Sequence, residues 1–285
     1  MLQPPPIVLS FAANDPSGGA GIQADILTIA SMGCHSLPII TAITVQDTAG
    51  VEDMMALDPE WVADQARTVL EDMPVHVFKI GLLGSVEIIA AIAEVVSDYP
   101  DIPVVLDPVL ASGRGDDLVS EEMLQAMREL LLPQVTILTP NSIEVRRLAQ
   151  DDEEDDDDQH LLDLNYCAQK LIQLGCENVL ITGTHENTSQ VINTLFNSGG
   201  IVRLDKWERL VHSYHGSGCT LASAIAASIA NGLSVEEGVY EAQDYTWHAL
   251  KAGFRPGMGQ YLPDRFFWAN DSDEDADGNK DNHNK

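Results

Sequence analysis

Ile7-Val-Leu-Ser-Phe-Ala-Ala-Asn-Asp-Pro-Ser-Gly-Gly-Ala-Gly-Ile-Gln-Ala-Asp25 decides the fold. An apolar run, Ile7–Ala13, ends in a glycine-rich turn, and helical spacing begins at once over Gly21–Met32. This strand–turn–helix succession recurs. Leu37–Val45 is β-branched, and Pro59–Glu71 has helical spacing. Strand Val75–Leu82 precedes helix Val86–Ser97, and strand Pro103–Val109 precedes helix Ser120–Leu132, with Ser120 at the N-cap. Val135–Leu138 and Asn178–Ile181 read as strands, Glu144–Ala149 and Leu161–Leu174 as helices. Gln190–Phe196 and Ile201–Asp205, separated by Asn-Ser-Gly-Gly, predict a hairpin, and helices Thr220–Asn231 and Val235–Ala252 follow. Alternating strands and helices predict an α/β fold with a mostly parallel central sheet, covered on both faces, and an antiparallel edge. Ligands of such sheets bind beyond the carboxyl ends of the strands.

Composition narrows the class. The chain has 285 residues, 45% of them hydrophobic, as expected of a soluble globular protein. It is read as one domain over residues 1–270, with an acidic loop at 150–160 inserted and an acidic, disordered tail over 271–285. The net charge is −30, concentrated in Asp151–Asp158 and in the tail, and it argues against nucleic-acid binding. The tail lacks the closing glutamate of a calcium loop. No apolar run reaches the ~20 residues of a membrane span, and the N-terminus does not read as a secretory signal. Cys34, Cys167, Cys176 and Cys219 show no metal spacing and suggest reduced thiols in a cytoplasm.

Four clusters carry chemistry. In His215-Gly-Ser-Gly-Cys-Thr220 a glycine-spaced turn runs into an Ala-rich helix. The first N–H groups of a helix are unpartnered, so Gly216, Ser217 and Gly218 predict an anion cradle with Cys219 at its lip. The turn at residues 14–25 carries three glycines and lets backbone approach a ligand; Asp25, one helical turn beyond Gly21, is expected to face the same space. It matches neither the dinucleotide nor the P-loop pattern. Thr44-Val-Gln-Asp-Thr48 closes a strand, and Gln46 offers a paired donor and acceptor to a heteroaromatic ring. Asp107, at one strand end, and Asn141 with Glu144, at another, suit Mg²⁺. Each cluster also has a plain reading: a tight turn, a solvated turn residue, or helix capping by Asn141 and Glu144.

Asp15-Pro-Ser-Gly-Gly-Ala-Gly-Ile-Gln-Ala-Asp25, Lys79-Ile-Gly-Leu-Leu83, Val105-Leu-Asp-Pro-Val109, Thr139-Pro-Asn-Ser-Ile-Glu144 and His215-Gly-Ser-Gly-Cys-Thr220 occur in that order. Over roughly residues 7 to 265 the chain resembles the hydroxymethylpyrimidine/phosphomethylpyrimidine kinases of thiamine biosynthesis, within the ribokinase superfamily. The resemblance implies a three-layer α/β/α fold, ATP and Mg²⁺ as cofactors, and phosphorylation of a pyrimidine hydroxymethyl group, followed by a second phosphorylation to the diphosphate. It implies that Gln46 binds the pyrimidine edge in a pocket lined by Ala13, Ala20, Asp25, Thr44 and Leu82. Cys219 would stand in the place of the general base, its pKa lowered by the helix N-terminus. Gly216, Ser217 and Gly218 would form the anion hole. Asp107, Asn141 and Glu144 would organise metal and triphosphate, and a homodimer is implied.

Three departures stand out. The family usually has Gly at position 13, Met at 82, and Lys-Gly-Gly-His where this chain has Thr182-Gly-Thr-His185. Threonine supplies a hydroxyl where lysine supplies a full charge. The expectation is weaker nucleotide handling at Thr182, with good monophosphate synthesis and poor diphosphate synthesis. Arg114, in the glycine-bearing loop Ala111–Asp116, is a candidate for the missing charge. Pyridoxal kinase is the second enzyme reading, and a catalytically reduced pyrimidine-binding regulator is the reading from another class.

Overall fold

The computed structural model describes residues 4–111, 115, 117–150 and 163–269. The acidic run 151–158, the acidic tail and Arg114 lie outside the described residues. Strand β1 (Ile7–Ala12) feeds the glycine turn and then α1 (Gly21–Ser31). The succession continues with β2 (His35–Ile40), β3 (Ala42–Gln46), β4 (Val51–Ala56), α2 (Pro59–Asp72), β5 (Val77–Ile80) and α3 (Val86–Ser97). Next come β6 (Val104–Leu106), α4 (Glu121–Ala126), β7 (Ile137–Leu138), α5 (Ser142–Ala149), α6 (Leu164–Gln173) and β8 (Asn178–Ile181). The described chain closes with β9 (Gln190–Asn197), β10 (Gly200–Glu208), α7 (Ser217–Ala230) and α8 (Val235–Lys251).

Eight strands form one sheet in the order β10-β9-β8-β7-β6-β5-β1-β2. Pairing is parallel from β2 through β8 and antiparallel at β8–β9 and β9–β10, which is the expected antiparallel edge. Side-chain alternation divides the core into two layers. Leu9, Phe11, Phe78, Ile80, Leu106 and Ile181 pack with α2–α6, while Val8, Val77, Val105, Ile137 and Leu180 pack with α1, α7 and α8. The result is the three-layer arrangement.

The continuous strand read over Leu37–Val45 is instead two strands broken at Thr41. The Thr41 amide donates to Ala12 O, its hydroxyl donates to Leu82 O at 2.6 Å, and its carbonyl accepts from the Leu57 amide. These bonds make a corner that turns the chain out of the sheet into an antiparallel β3–β4 ribbon. Strand β4 carries little strand signal, since Glu52 and Asp53 interrupt its apolar residues. Helix α7 begins at Ser217, earlier than the Thr220 read from composition. The carboxyl ends of β1, β5, β6, β7 and β8 open on one edge, and the ribbon stands over it.

Candidate active site

A cavity of about 830 Å³ occupies that edge. Its floor is the N-terminus of α7. Gly216 is the N-cap, with φ of +81°, a conformation that side-chain-bearing residues resist. A Cβ at Gly216 would lie 1.8 Å from Gly19 O, so the two glycine turns are packed backbone against backbone. Among the described residues, no protein group accepts from the Ser217, Gly218 or Cys219 amides, while the Thr220 amide donates to Gly216 O. Three donors at the positive end of a 14-residue helix therefore face the cavity.

Asp107 follows β6 directly, and its amide is fixed by Ile80 O at 2.8 Å. Its carboxylate oxygens lie 3.7 and 3.8 Å from where a Gly218 Cβ would be, so it faces the α7 turn. Asp107 is buried and its Oδ2 has no partner. Burial pushes its pKa up and the Asp25 charge adds to that, against the pull of Lys79 and of the Cys219 thiol. Asn141 and Glu144 form a capping box on α5: Asn141 Oδ1 accepts from the Ile143 and Glu144 amides, and Glu144 Oε2 accepts from the Asn141 amide. One atom of each side chain is thus committed to the helix; Asn141 Nδ2 remains for a ligand, while the Glu144 carboxyl also takes a hydrogen bond from the Leu110 backbone. Burial, then the Asp107 charge, push Glu144 up to about 8. A buried carboxylate oxygen without a partner, beside a protonatable glutamate, fits a hard divalent cation that completes its shell with phosphate oxygens and water. No group of three metal-ligating side chains occurs among the described residues.

Ala13, Ala20, Thr44, Gln46 and Leu82 line the opposite end of the cavity, and Thr182 lines it beside Asn141, to which it is bridged. Asp25 does not line it. The expectation that Asp25 faces the pocket is corrected: its carboxylate is fully buried one layer below, 2.9 Å from Lys79 Nζ, and accepts from Ser223 Oγ at 2.7 Å. Lys79 is itself fully buried; burial opposes its charge, but Asp25, Cys219 and Asp107 outweigh it and hold its pKa above the ordinary value. A lysine inside an otherwise apolar strand was the available signal, since a buried ammonium requires a buried anion. The expected lowering of the Cys219 pKa is also corrected. Desolvation, then the Asp107 charge, push the thiol up to about 12, outweighing Lys79 and the Gly21 amide.

Sequence reasoning left two further features unassigned. Arg209, just past β10, lines the cavity and donates to Thr184 O, Glu186 O and Thr188 O at 2.7, 3.0 and 3.1 Å. It has no carboxylate partner among the described residues, whereas Arg147, also lining the cavity, is paired with Asp117 and Glu121. Trp207 and Trp247, with ring centroids 6.3 Å apart, form the apolar end near Arg209, where Trp207 Nε1 donates to Gln243 Oε1. Neither feature lies in a glycine turn or a compact motif.

The sequence profile of a family described as phosphomethylpyrimidine kinase matches residues 15–264. A hydroxymethylpyrimidine/phosphomethylpyrimidine kinase of Streptomyces coelicolor is 38% identical over 256 residues, covering 90% of this chain and 92% of that protein. The crystal structure of a phosphomethylpyrimidine kinase from Clostridium difficile superposes with a TM-score of 0.72 at 31% identity, covering 86% of this chain and 99% of that one. A pyridoxal kinase from Staphylococcus aureus, in complex with AMP-PCP and pyridoxal, superposes with a TM-score of 0.81 at 27% identity, covering 94% and 96%.

Proposed function

The chain belongs to the phosphomethylpyrimidine kinase family, and from that premise we propose that it transfers the γ-phosphoryl group of ATP to the hydroxymethyl oxygen of 4-amino-5-hydroxymethyl-2-methylpyrimidine, in thiamine biosynthesis. The observation that carries the reading is the set of unpartnered amides at Ser217, Gly218 and Cys219, set between the Gln46 end of the cavity and the buried carboxylate of Asp107. The hydroxyl oxygen bonds to the γ-phosphorus as the bond to the β-bridging oxygen breaks; ADP leaves, and the hydroxyl proton passes to an oxygen of the transferred phosphoryl group and from there to water. Charge gathers on the migrating PO₃ group, where preorganised amides stabilise it most. Cys219 acts as a neutral contact to the reacting hydroxyl, because a thiol pushed up to about 12 is no standing thiolate near neutral pH. Asp107 and Glu144 would hold Mg²⁺, which neutralises triphosphate charge when bound. Arg209 supplies positive charge near Thr182, where the family lysine is missing.

Three further features complete the reading. The outer face of the β3–β4 ribbon exposes Ile43 opposite Met55, and Val45 beside them, an apolar strip suited to a second copy of the chain. Among the described residues no helix is long and apolar enough to cross a membrane. The four cysteines are free thiols, which supports a reducing cytoplasm.

Purified protein with Mg-ATP, the aminopyrimidine and its monophosphate, and pyridoxal in parallel, tests the assignment. Monophosphate formation faster than pyridoxal phosphorylation, with slower diphosphate formation, is the expected order. Pyridoxal turning over fastest would favour the second enzyme reading, which the pyridoxal kinase likeness supports. Absence of turnover on every substrate would favour a regulatory binding role.

A further inference from the structure

The Gln46 side chain lies between two groups whose hydrogens can be assigned. As placed, its amide sets Oε1 3.2 Å from Thr44 Oγ1 and Nε2 2.9 Å from His215 Nε2, an orientation that the hydrogens of the two neighbours reverse. The two ends have the same shape, so hydrogen placement on the neighbours must decide which is oxygen and which is nitrogen. Thr44 has one hydroxyl hydrogen, and it donates to Asn14 O at 2.9 Å, a carbonyl that can only accept. Thr44 Oγ1 therefore accepts from Gln46, and the amide end beside it is the NH₂ group. His215 Nε2 lies 2.8 Å from Asp15 Oδ2. Asp15 is held down to about 2: burial opposes this, but hydrogen bonds from His215, Ser17 and the Ala20 amide prevail. Its carboxylate can only accept, so His215 Nε2 carries a hydrogen and cannot accept from an NH₂. That single hydrogen points to Asp15 and is at most shared with Gln46, but beside an N–H an oxygen is attracted and an NH₂ repelled, so the amide end beside His215 is the oxygen. The imidazole packs against the Gly19 backbone, where any side chain would collide with it: a Cβ there would lie 2.4 Å from His215 Cδ2.

We propose that His215, held in its Nε2–H form by Asp15, is a positioning residue that fixes the polarity of the Gln46 amide and so selects the ring edge the pocket accepts. With the NH₂ turned toward Thr44 and the oxygen toward His215, Gln46 retains one N–H and one lone pair for a ligand. The complementary edge has a ring nitrogen that accepts, next to an exocyclic amine that donates. A 4-oxo ring, with N–H and C=O at those places, presents the reverse order and meets donor with donor. An amide free to rotate would take either edge. The inference rests on the reading of Gln46 as the ring-binding residue.

The test compares kcat/KM for the 4-amino substrate and its 4-oxo analogue in the wild type, His215→Phe and Asp15→Asn. The wild type is expected to favour the amino ring by about 100-fold or more. In both variants that preference is expected to fall below about tenfold, through a higher KM for the amino ring and a lower one for the oxo ring. General structural damage would slow both substrates alike and leave the ratio intact, and a preserved ratio overturns the proposal. If neither variant folds, ¹⁵N-histidine spectra of the unmodified protein still decide it: Nε2 bearing hydrogen is expected, and a bare Nε2 overturns it. A wild type inactive on the amino ring would instead overturn the kinase reading, while the tautomer measurement would stand apart from that failure.

Discussion

A thiol pushed up to about 12 changes what Cys219 can do before substrate arrives. Near neutral pH its thiolate fraction is thousands of times below that of an ordinary cysteine with a pKa of about 8.5. Iodoacetamide at about pH 7.5 is therefore expected to leave Cys219 unmodified in the ligand-free protein while a free thiol control is consumed. Peptide mass spectrometry reads the result, and rapid alkylation would mean that the helix terminus outweighs burial. Glu144 makes a matching prediction about stability. Its pKa rises from 4.5 to about 8 on folding, so between those values the native state holds a proton that the unfolded chain has released. Stability from this group is thus highest at low pH and falls as pH rises through that window. Glu144→Gln keeps an N3 side chain able to cap and removes the titration. Its Tm in metal-free buffer should gain on the wild type as pH climbs from about 4.5 to about 8, and a constant gap would refute the assignment. Residues in short motifs, such as Asp107, Gly216 and Gln46, were legible in the sequence because strand ends and glycine turns announce themselves. The Lys79–Asp25 and His215–Asp15 pairs were not, since their partners are 54 and 200 residues apart and only the sheet order brings them together.

At the scale of elements, the cradle depends on two turns that exclude side chains from each other. Gly216→Ala would place a methyl group into the Gly19 carbonyl and force a positive φ on alanine. The turn at 15–21 would have to move, and with it the start of α7. Phosphoryl transfer is expected to fall by at least about 100-fold, the scale of losing an oxyanion-type donor. Gly218→Ala is the control. Its Cβ would meet nothing nearer than the Asp107 carboxylate at 3.7 Å, so Tm should stay within a few degrees of wild type. Normal turnover by Gly216→Ala would show that the amides are not where the phosphate passes. The βα succession was readable because each buried strand is a short apolar run ended by glycine or proline. The β3–β4 ribbon was not, because the Thr41 corner that creates it is built from contacts to Ala12, Leu57 and Leu82, none of them adjacent in sequence.

For the whole molecule, the net charge of −30 opposes the association that the ribbon invites. Two copies meeting through Ile43, Val45 and Met55 gain apolar burial and incur the repulsion of two strongly acidic bodies. Salt screens that repulsion and barely weakens the apolar contact, since the Debye length shrinks from about 10 Å at 0.1 M to about 3 Å at 1 M. Dimerisation is therefore expected to strengthen as salt rises, the reverse of an interface held by exposed ion pairs. Sedimentation of the full chain across that range measures it, and Met55→Glu, which sets a charge in the strip opposite Ile43, should leave a monomer at every salt concentration. Because Gln46 lies on the same ribbon, on the face toward the cavity, the monomeric variant should also bind the pyrimidine more weakly if the second copy steadies the ribbon. A dimer that salt dissociates, or that survives Met55→Glu, would place the interface elsewhere on the surface.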